Sequence, residues 1–424
     1  MCRGRCVRPR PTVRSIRCHV VQRNDRPPSI LFTCGGTGGH IYPAVAIADR
    51  IKRVCPDLEV GFIGSRDRLE WDIVPKSGYP IRSVPCAPIH RPIASFRNVR
   101  TILIQVLGLL KALWLLARRR PAAVVGTGGY ITVPTCFAAW LLRIPVFLHE
   151  SNALPGLATR FLVNTLGCAA GVFLGFAEAR KHLRGGTNVV VTGNPVREGI
   201  LPKNWDGIEA RADKINRLWG RVGGGSGGTR PSEGLCLCVM GGSLGAGKIN
   251  QVLEECAETL LTKFTDLHII WQTGERYYEE ARGGASRGGS DARGRGSPNE
   301  RLAILPFLDD MPLVYSCCDV FVCRSGAITC SELLCARKPS ILIPSPNVTD
   351  DHQSRNADAL QNSGMAILLE EESLDGDALV ATIESLLEEG GRKLKGMGEA
   401  LEGAAENVAS EDIAIAILRQ LVDV

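Results

Sequence analysis

The residues able to do chemistry in this chain gather around glycines. Cys34-Gly35-Gly36-Thr37-Gly38-Gly39-His40 ends the apolar run Ile30–Cys34, and after Pro43 the residues Ala44, Ile47, Ala48 and Ile51 share one helical face. That spacing predicts a strand, a glycine loop and a helix N-terminus, where free N–H groups and the helix dipole favour an anion. Val125-Gly126-Thr127-Gly128-Gly129-Tyr130 and Met240-Gly241-Gly242-Ser243-Leu244-Gly245-Ala246-Gly247 repeat the device after other apolar runs. Three such loops point to a phosphorylated ligand held between two sheets. A nicotinamide site is disfavoured, because Ile41 stands where Gly-x-Gly-x-x-Gly needs its last glycine, and Gly64-Ser65-Arg66 where an acid should close the second strand. His40, at the mouth of the first loop, has the residue type of a general base near neutral pH; capping the loop is the alternative.

The elements that must position these loops are legible as apolar runs. One series reads Ile30–Cys34, Val60–Ile63, Ala123–Val125, Pro145–Leu148, Val172–Leu174 and Val189–Val191; a second reads Leu235–Met240, Leu267–Trp271, Leu302–Leu305, Val320–Cys323, Ile341–Ile343 and Ala366–Leu369. Continuous apolarity marks buried parallel strands, and the intervening helical periods predict two α/β, doubly wound parallel-sheet domains facing a cleft. The expected division is a leader over 1–28, a first domain over 29–197, a linker over 198–234, a second domain over 235–400 and a terminal helix over 401–424. Gly-rich stretches within 198–234 and 283–299 read as disordered insertions. Ile102–Arg120 is apolar but interrupted by Gln105 and Lys111. Its uninterrupted apolar stretches are too short to span a bilayer; the plain reading is a helix partly buried on the first sheet, and the functional one is that part of this face, with Lys111 and Arg118-Arg119-Arg120, lies on an anionic membrane surface.

Composition narrows the classes further. At 424 residues, 45% hydrophobic and 22% charged, the chain has length for two or three cores and is neither disordered nor multi-spanning. Its +6 net charge is concentrated in residues 1–28, which hold eight arginines against Asp25 alone; the rest nets −1, so bulk charge predicts no nucleic-acid partner. The Arg-rich leader lacks the apolar core of a secretory signal and reads as an organelle transit peptide. The sixteen cysteines sit mostly inside apolar runs without zinc spacing, which predicts buried thiols, a reducing compartment and no metal.

Taken in order, the motifs resemble those of the MurG family, the UDP-N-acetylglucosamine:N-acetylmuramyl-(pentapeptide)-pyrophosphoryl-polyprenol N-acetylglucosaminyltransferases of peptidoglycan synthesis. Besides the three loops, the carrying residues are His149-Glu150-Ser151-Asn152, Thr192-Gly193-Asn194-Pro195-Val196-Arg197, Phe307-Leu308-Asp309-Asp310-Met311, Arg324-Ser325-Gly326-Ala327-Ile328-Thr329-Cys330-Ser331-Glu332, and Asp351-His352-Gln353 with Asn356-Ala357. They cover roughly residues 30–370. The resemblance implies a GT-B fold and an inverting hexosyltransferase moving N-acetylglucosamine from UDP-N-acetylglucosamine to the 4-hydroxyl of a polyprenyl-pyrophosphoryl-N-acetylmuramyl-pentapeptide.

Residue by residue, the resemblance implies diphosphate contacts for Ser243 and Arg197 and a ribose ligand in Glu332. It implies uracil and phosphate neighbours in Leu308, Ala327, Ile328 and Thr329, and sugar-hydroxyl readers in Asn152, His352 and Gln353. Thr37, Gly38 and Gly39 join the UDP-sugar set, Gly128, Gly129 and Tyr130 lie on the acceptor side, and His40 is the base or a contact to acceptor pyrophosphate. Charge on departing UDP is met by Arg197 and helix dipoles, so no metal cofactor is expected. Ser151 and Thr159 depart from the family's usual Gln and Asn, near the sugar and acceptor. With the leader, the resemblance implies a plastid protein, peripheral on the stromal side of the inner envelope membrane; without transit function, the cytoplasmic face of a membrane. The rivals are a plastid UDP-galactose:diacylglycerol galactosyltransferase, which does not reproduce this motif set, and a UDP-sugar-binding scaffold without activity, disfavoured by the complete set of polar site residues.

Overall fold

The computed structural model describes residues 27–66, 68–88, 96–202, 234–242, 244–285, 301–348, 351–402 and 409–422. Two parallel sheets order them. The first runs β3-β2-β1-β4-β5-β6-β7, from β1 (Ser29–Thr33), β2 (Glu59–Gly64), β3 (Ile81–Ser83), β4 (Ala123–Gly126), β5 (Val146–Glu150), β6 (Gly171–Leu174) and β7 (Val189–Val191). The second runs β10-β9-β8-β11-β12-β13, from β8 (Leu235–Met240), β9 (Leu267–Gln272), β10 (Leu302–Leu305), β11 (Val320–Cys323), β12 (Ser340–Leu342) and β13 (Ala366–Leu368). Every ladder is parallel. The order reverses between β1 and β4 and again between β8 and β11, the switch points whose carboxyl ends leave a crevice for ligands.

All twelve expected strands are present, with ends moved by a residue or two. The additional one, β3, is three residues, Ile-Arg-Ser, on the sheet edge, too short and polar for an apolar-run reading. Four expectations need correction. The linker does not begin at 198: Glu198–Ile200 forms a turn whose Ile200 is buried with Leu308, Met311 and Leu313 of the second domain, an apolar anchor that a Gly-rich stretch conceals. The second insertion does not begin at 283, because the helix Tyr278–Ala285 runs through Gly283. Residues 203–233 and 286–300, and the leader through residue 26, lie outside the described residues.

The third correction concerns the apolar helix. It spans Arg97–Arg119, 23 residues, about 34 Å at 1.5 Å per residue, so it is long enough for a roughly 30 Å hydrocarbon core. Gln and Lys do not shorten it because their side chains find partners on the domain: Gln105 Nε2 donates to Ala87 O at 2.8 Å and Lys111 Nζ to Ser83 Oγ at 3.4 Å. Ala112, Leu115 and Leu116 are buried in the first domain's core. Val99, Ile102, Leu103, Val106, Leu107, Leu110 and Trp114 are exposed along the opposite side.

The terminal helix, expected over 401–424, is Ala409–Val422, residues 401 and 402 belonging to the preceding helix Gly376–Glu402, and it returns to the first domain. Ile413, Ala414, Ile417 and Leu418 of the helix Ala409–Val422 pack into the core beneath the helix Gly38–Val54, and Arg50 pairs with Glu411 at 2.6 Å. The two domains are thus joined at 198–202 and again by the last helix.

Candidate active site between the sheets

The first loop is fixed from below by a residue that spacing does not reveal. Glu70, fully buried at the start of the helix Glu70–Lys76, accepts from Gly36 N–H at 3.1 Å and Ser65 N–H at 3.0 Å. An internal carboxylate therefore fills part of the expected anion nest, and Gly36 N–H is not free for a phosphate. This acid stands near the end of β2, where a dinucleotide site would keep one, but it turns toward the loop.

His40 sits on that loop in the helix Gly38–Val54. Its Nδ1 lies 3.1 Å from Gly35 O and 3.3 Å from Thr37 Oγ1. A carbonyl can only accept, so Nδ1 carries the proton and Nε2 of the neutral ring is left as an acceptor. Nε2 rests against Gly128: a Cβ there would come within 2.8 Å of it, and one at Gly129 within 2.3 Å of Gly35 O. Gly128 and Gly129, both at positive φ, are thus required for the β4 loop to close on the β1 loop. Burial lowers the imidazole pKa, opposed by the negative charges of Glu150 and Glu70 and by the Gly35 bond. Neighbouring His149, at the end of β5, is neutral, its pKa pushed down to about 3 by burial.

The β5 loop follows. Ser151 Oγ donates to Gly39 O at 3.4 Å, and Asn152 is held by Glu150, its Nδ2 3.2 Å from Oε1. Tyr130 is half-buried beside Gly36, and burial raises its pKa. Thr37 is exposed at the loop mouth with Gly38 and Gly39 partly exposed behind it.

From the second domain come the loops after β8, β11 and β12. Ala327, Ile328 and Thr329 form the first turn of the helix Ala327–Ala336, the first two buried, and Leu308 packs into the same core as Ala327. Gln353 Oε1 accepts from Ser345 N–H at 2.9 Å, which fixes the β12 loop, and His352 opens the helix His352–Asn362. Ser243 lies outside the described residues.

Arg197 and Glu332, expected as separate ligand contacts, are partners of each other. Arg197 Nε donates to Glu332 Oε1 at 3.0 Å and Nη2 to Oε2 at 3.3 Å, while Tyr315 OH donates to Oε2 at 3.2 Å. Arg197 also stacks over the Tyr42 ring, 5.0 Å from its centre. Burial raises the Glu332 pKa against the pull of Arg197 and Tyr315; burial works against the Arg197 charge, but Glu332 outweighs it. Two asparagines complete the seam: Asn194 Nδ2 donates to Ser151 O and to Ser331 Oγ, each at 2.9 Å, and Asn356 Oδ1 accepts from Ala153 N–H at 3.2 Å. The structure thus brings His40, Asn152, Arg197 and Glu332 to one seam. The sequence motifs assign no site role to Tyr42, which shares the His40 helix and meets Arg197 across the seam, or to Glu70 and Tyr315, which reach Gly36 and Glu332 from other elements.

Comparison with known proteins agrees with this layout. Residues 30–170 match the glycosyltransferase family 28 N-terminal domain and residues 236–413 its C-terminal domain. A UDP-N-acetylglucosamine--N-acetylmuramyl-(pentapeptide) pyrophosphoryl-undecaprenol N-acetylglucosamine transferase of Salinibacter ruber is 36% identical over 93% of this chain and 97% of its own length. The enzyme of the same name from Alkaliphilus metalliredigens is 34% identical over 91% and 97%. Among solved structures, Acinetobacter baumannii MurG superposes with a TM-score of 0.67 at 24% identity, over 93% of this chain and all of that one; a Staphylococcus aureus MnaA-UDP structure does so at 0.63 and 16%, over 94% and 98%. With two GT-B domains of family 28 and relatives above 30% identity over nearly its whole length, the chain belongs to the MurG family of N-acetylglucosaminyltransferases.

Proposed function

We propose that the chain transfers N-acetylglucosamine from UDP-N-acetylglucosamine to the 4-hydroxyl of a polyprenyl-pyrophosphoryl-N-acetylmuramyl-pentapeptide, with inversion. The observation that carries this reading is His40, its Nδ1 anchored on Gly35 O and its Nε2 left as an acceptor against Gly128. The acceptor hydroxyl gives its proton to Nε2 as its oxygen bonds to the anomeric carbon, and the bond from that carbon to UDP breaks on the opposite face. UDP separates the Arg197–Glu332 pair: Glu332 takes the ribose hydroxyls, a carboxylate matching a vicinal diol, and the Arg197 fork takes diphosphate oxygens as charge grows on them. Leu308, Ala327, Ile328 and Thr329 surround the nucleotide, the motif likeness alone assigns Ser243 to the diphosphate, and Asn152, His352 and Gln353 read the sugar. The N-terminus of Ala327–Ala336 and Arg197 supply the positive charge, so the reaction proceeds without a divalent ion; turnover unchanged in excess chelator is expected, and loss restored by magnesium contradicts it.

The exposed apolar stripe on Arg97–Arg119, flanked by Lys111 and Arg118-Arg119-Arg120, supports a peripheral seat on an anionic membrane, where a polyprenyl acceptor resides. The Arg-rich leader supports import into a plastid; residues 1–28 fused to a fluorescent protein would then enter plastids, and cytosolic fluorescence contradicts it. The test of the reaction is the anomeric configuration of the product from the α-linked donor. A β-glycoside is expected, and an α-glycoside would overturn the single-displacement mechanism.

A further inference from the structure

Glu150, at the carboxyl end of β5 and only 5% exposed, has both oxygens filled. Oε1 accepts from the Asn152 backbone N–H at 3.1 Å and from Asn152 Nδ2 at 3.2 Å; Oε2 accepts from Gly156 N–H at 3.0 Å and Thr159 Oγ1 at 2.6 Å. One side chain closes the 151–156 loop onto the strand end. An ionised carboxylate is acceptor-only, so just the NH2 end of the Asn152 amide can face it, and the orientation of that amide is decided by its partner. The carbonyl end, Oδ1, is left pointing away from Glu150. Asn152 is half-exposed and follows Ser151, whose hydroxyl meets Gly39 O on the loop that carries His40.

We propose that Glu150 is a positioning residue that presents Asn152 as a hydrogen-bond acceptor, so that Asn152 selects a donor sugar offering an O–H or N–H at that place. This rests on the reading that Asn152 faces the transferred sugar. A sugar lacking that donor leaves Oδ1 unpaired, which makes the contact a source of discrimination rather than of bulk affinity. Thr159 belongs to the device. Its hydroxyl has one proton, and spending it on Oε2 helps leave Oε1 wholly to Asn152. A glutamine at 150 would break the arrangement, since its NH2 must meet either the Asn152 donors or the Gly156 N–H.

The test is a double-mutant cycle on the full chain, with the muramyl-pyrophosphoryl lipid as acceptor and UDP-N-acetylglucosamine, its C4 epimer and UDP-glucose as donors. Glu150→Gln and Asn152→Ala are each expected to lower kcat/KM for UDP-N-acetylglucosamine by roughly 10- to 100-fold, the size of one lost hydrogen bond to a charged or buried group. Both should narrow discrimination against at least one other donor, and the double variant should be no worse than either single one. Multiplying losses in the double variant, or donor ratios that stay at wild-type values in both single variants, would overturn the proposal. Should Glu150→Gln not fold, Thr159→Val removes one donor only; narrowed donor ratios support the proposal and unchanged ratios refute it. A wild-type chain that binds UDP but transfers nothing to this acceptor would instead overturn the underlying functional reading, and the inference with it.

Discussion

His40 shows how one backbone contact assigns a role. With Nδ1 donating to Gly35 O, proton traffic is confined to Nε2. His40→Ala should lower kcat by about 10²- to 10⁴-fold while UDP affinity, measured by calorimetry, stays within about twofold; undiminished turnover would remove His40 from the chemistry. Burial holds the imidazole below its ordinary 6.5, so the base form survives as pH falls through 6.5, and the acid limb of kcat/KM should have its midpoint below that value. Glu150, Glu70 and neutral His149 are the titratable groups around it. Glu150→Gln removes a charge favouring imidazolium, which moves the limb further toward acid; a limb at or above 6.5 in the wild type would contradict this. His40, Asn152, Arg197 and Glu332 were legible in the sequence because they sit in ordered motifs. Glu70 was not: it lies 34 residues from Gly36, and only the pairing of β1 with β2 brings the two together.

At the scale of elements, uninterrupted apolarity made twelve strands readable, since parallel strands are buried on both faces. The edge strand β3 has little apolar surface to bury and gave no such signal. Glycines at 128 and 129 were readable as a loop, but not as the contact surface for the His40 loop, because that needs the β1–β4 register. Glu70 ties β2 to the first loop, and Glu70→Ala leaves the buried Ser65 N–H without its acceptor, a cost of about 1–3 kcal/mol, and the partly buried Gly36 N–H without its own, at a smaller cost. A lowered unfolding midpoint with a larger fall in kcat than in UDP affinity is expected; an unchanged midpoint would show that the loop does not depend on it. The helix Arg97–Arg119 was legible as apolar but not as docked along one side. Its exposed Leu103 and Leu107 predict that Leu103→Glu with Leu107→Glu weakens sedimentation with anionic vesicles by tenfold or more and leaves the unfolding midpoint within a degree or two. Undiminished vesicle binding would assign membrane contact elsewhere.

For the whole molecule, the seam between the sheets is made of paired polar groups, Asn194 with Ser331, Asn356 with Ala153, and Arg197 with Glu332, over a core in which Ala153, Phe176 and Ile200 meet Leu308 and Ala327. Two sheets and a cleft followed from the alternation of strands and helices. That Arg197 and Glu332 would first satisfy each other did not, because motif order says nothing about which residues of two domains touch. The central claim is that this seam selects an N-acetylglucosaminyl donor and a muramyl lipid acceptor. Its most direct test offers the full chain labelled UDP-N-acetylglucosamine or UDP-galactose, with either a muramyl-pyrophosphoryl lipid or diacylglycerol in vesicles. Label from UDP-N-acetylglucosamine on the muramyl lipid alone is the predicted result; galactose on diacylglycerol, or no transfer from a chain that binds UDP, would contradict it.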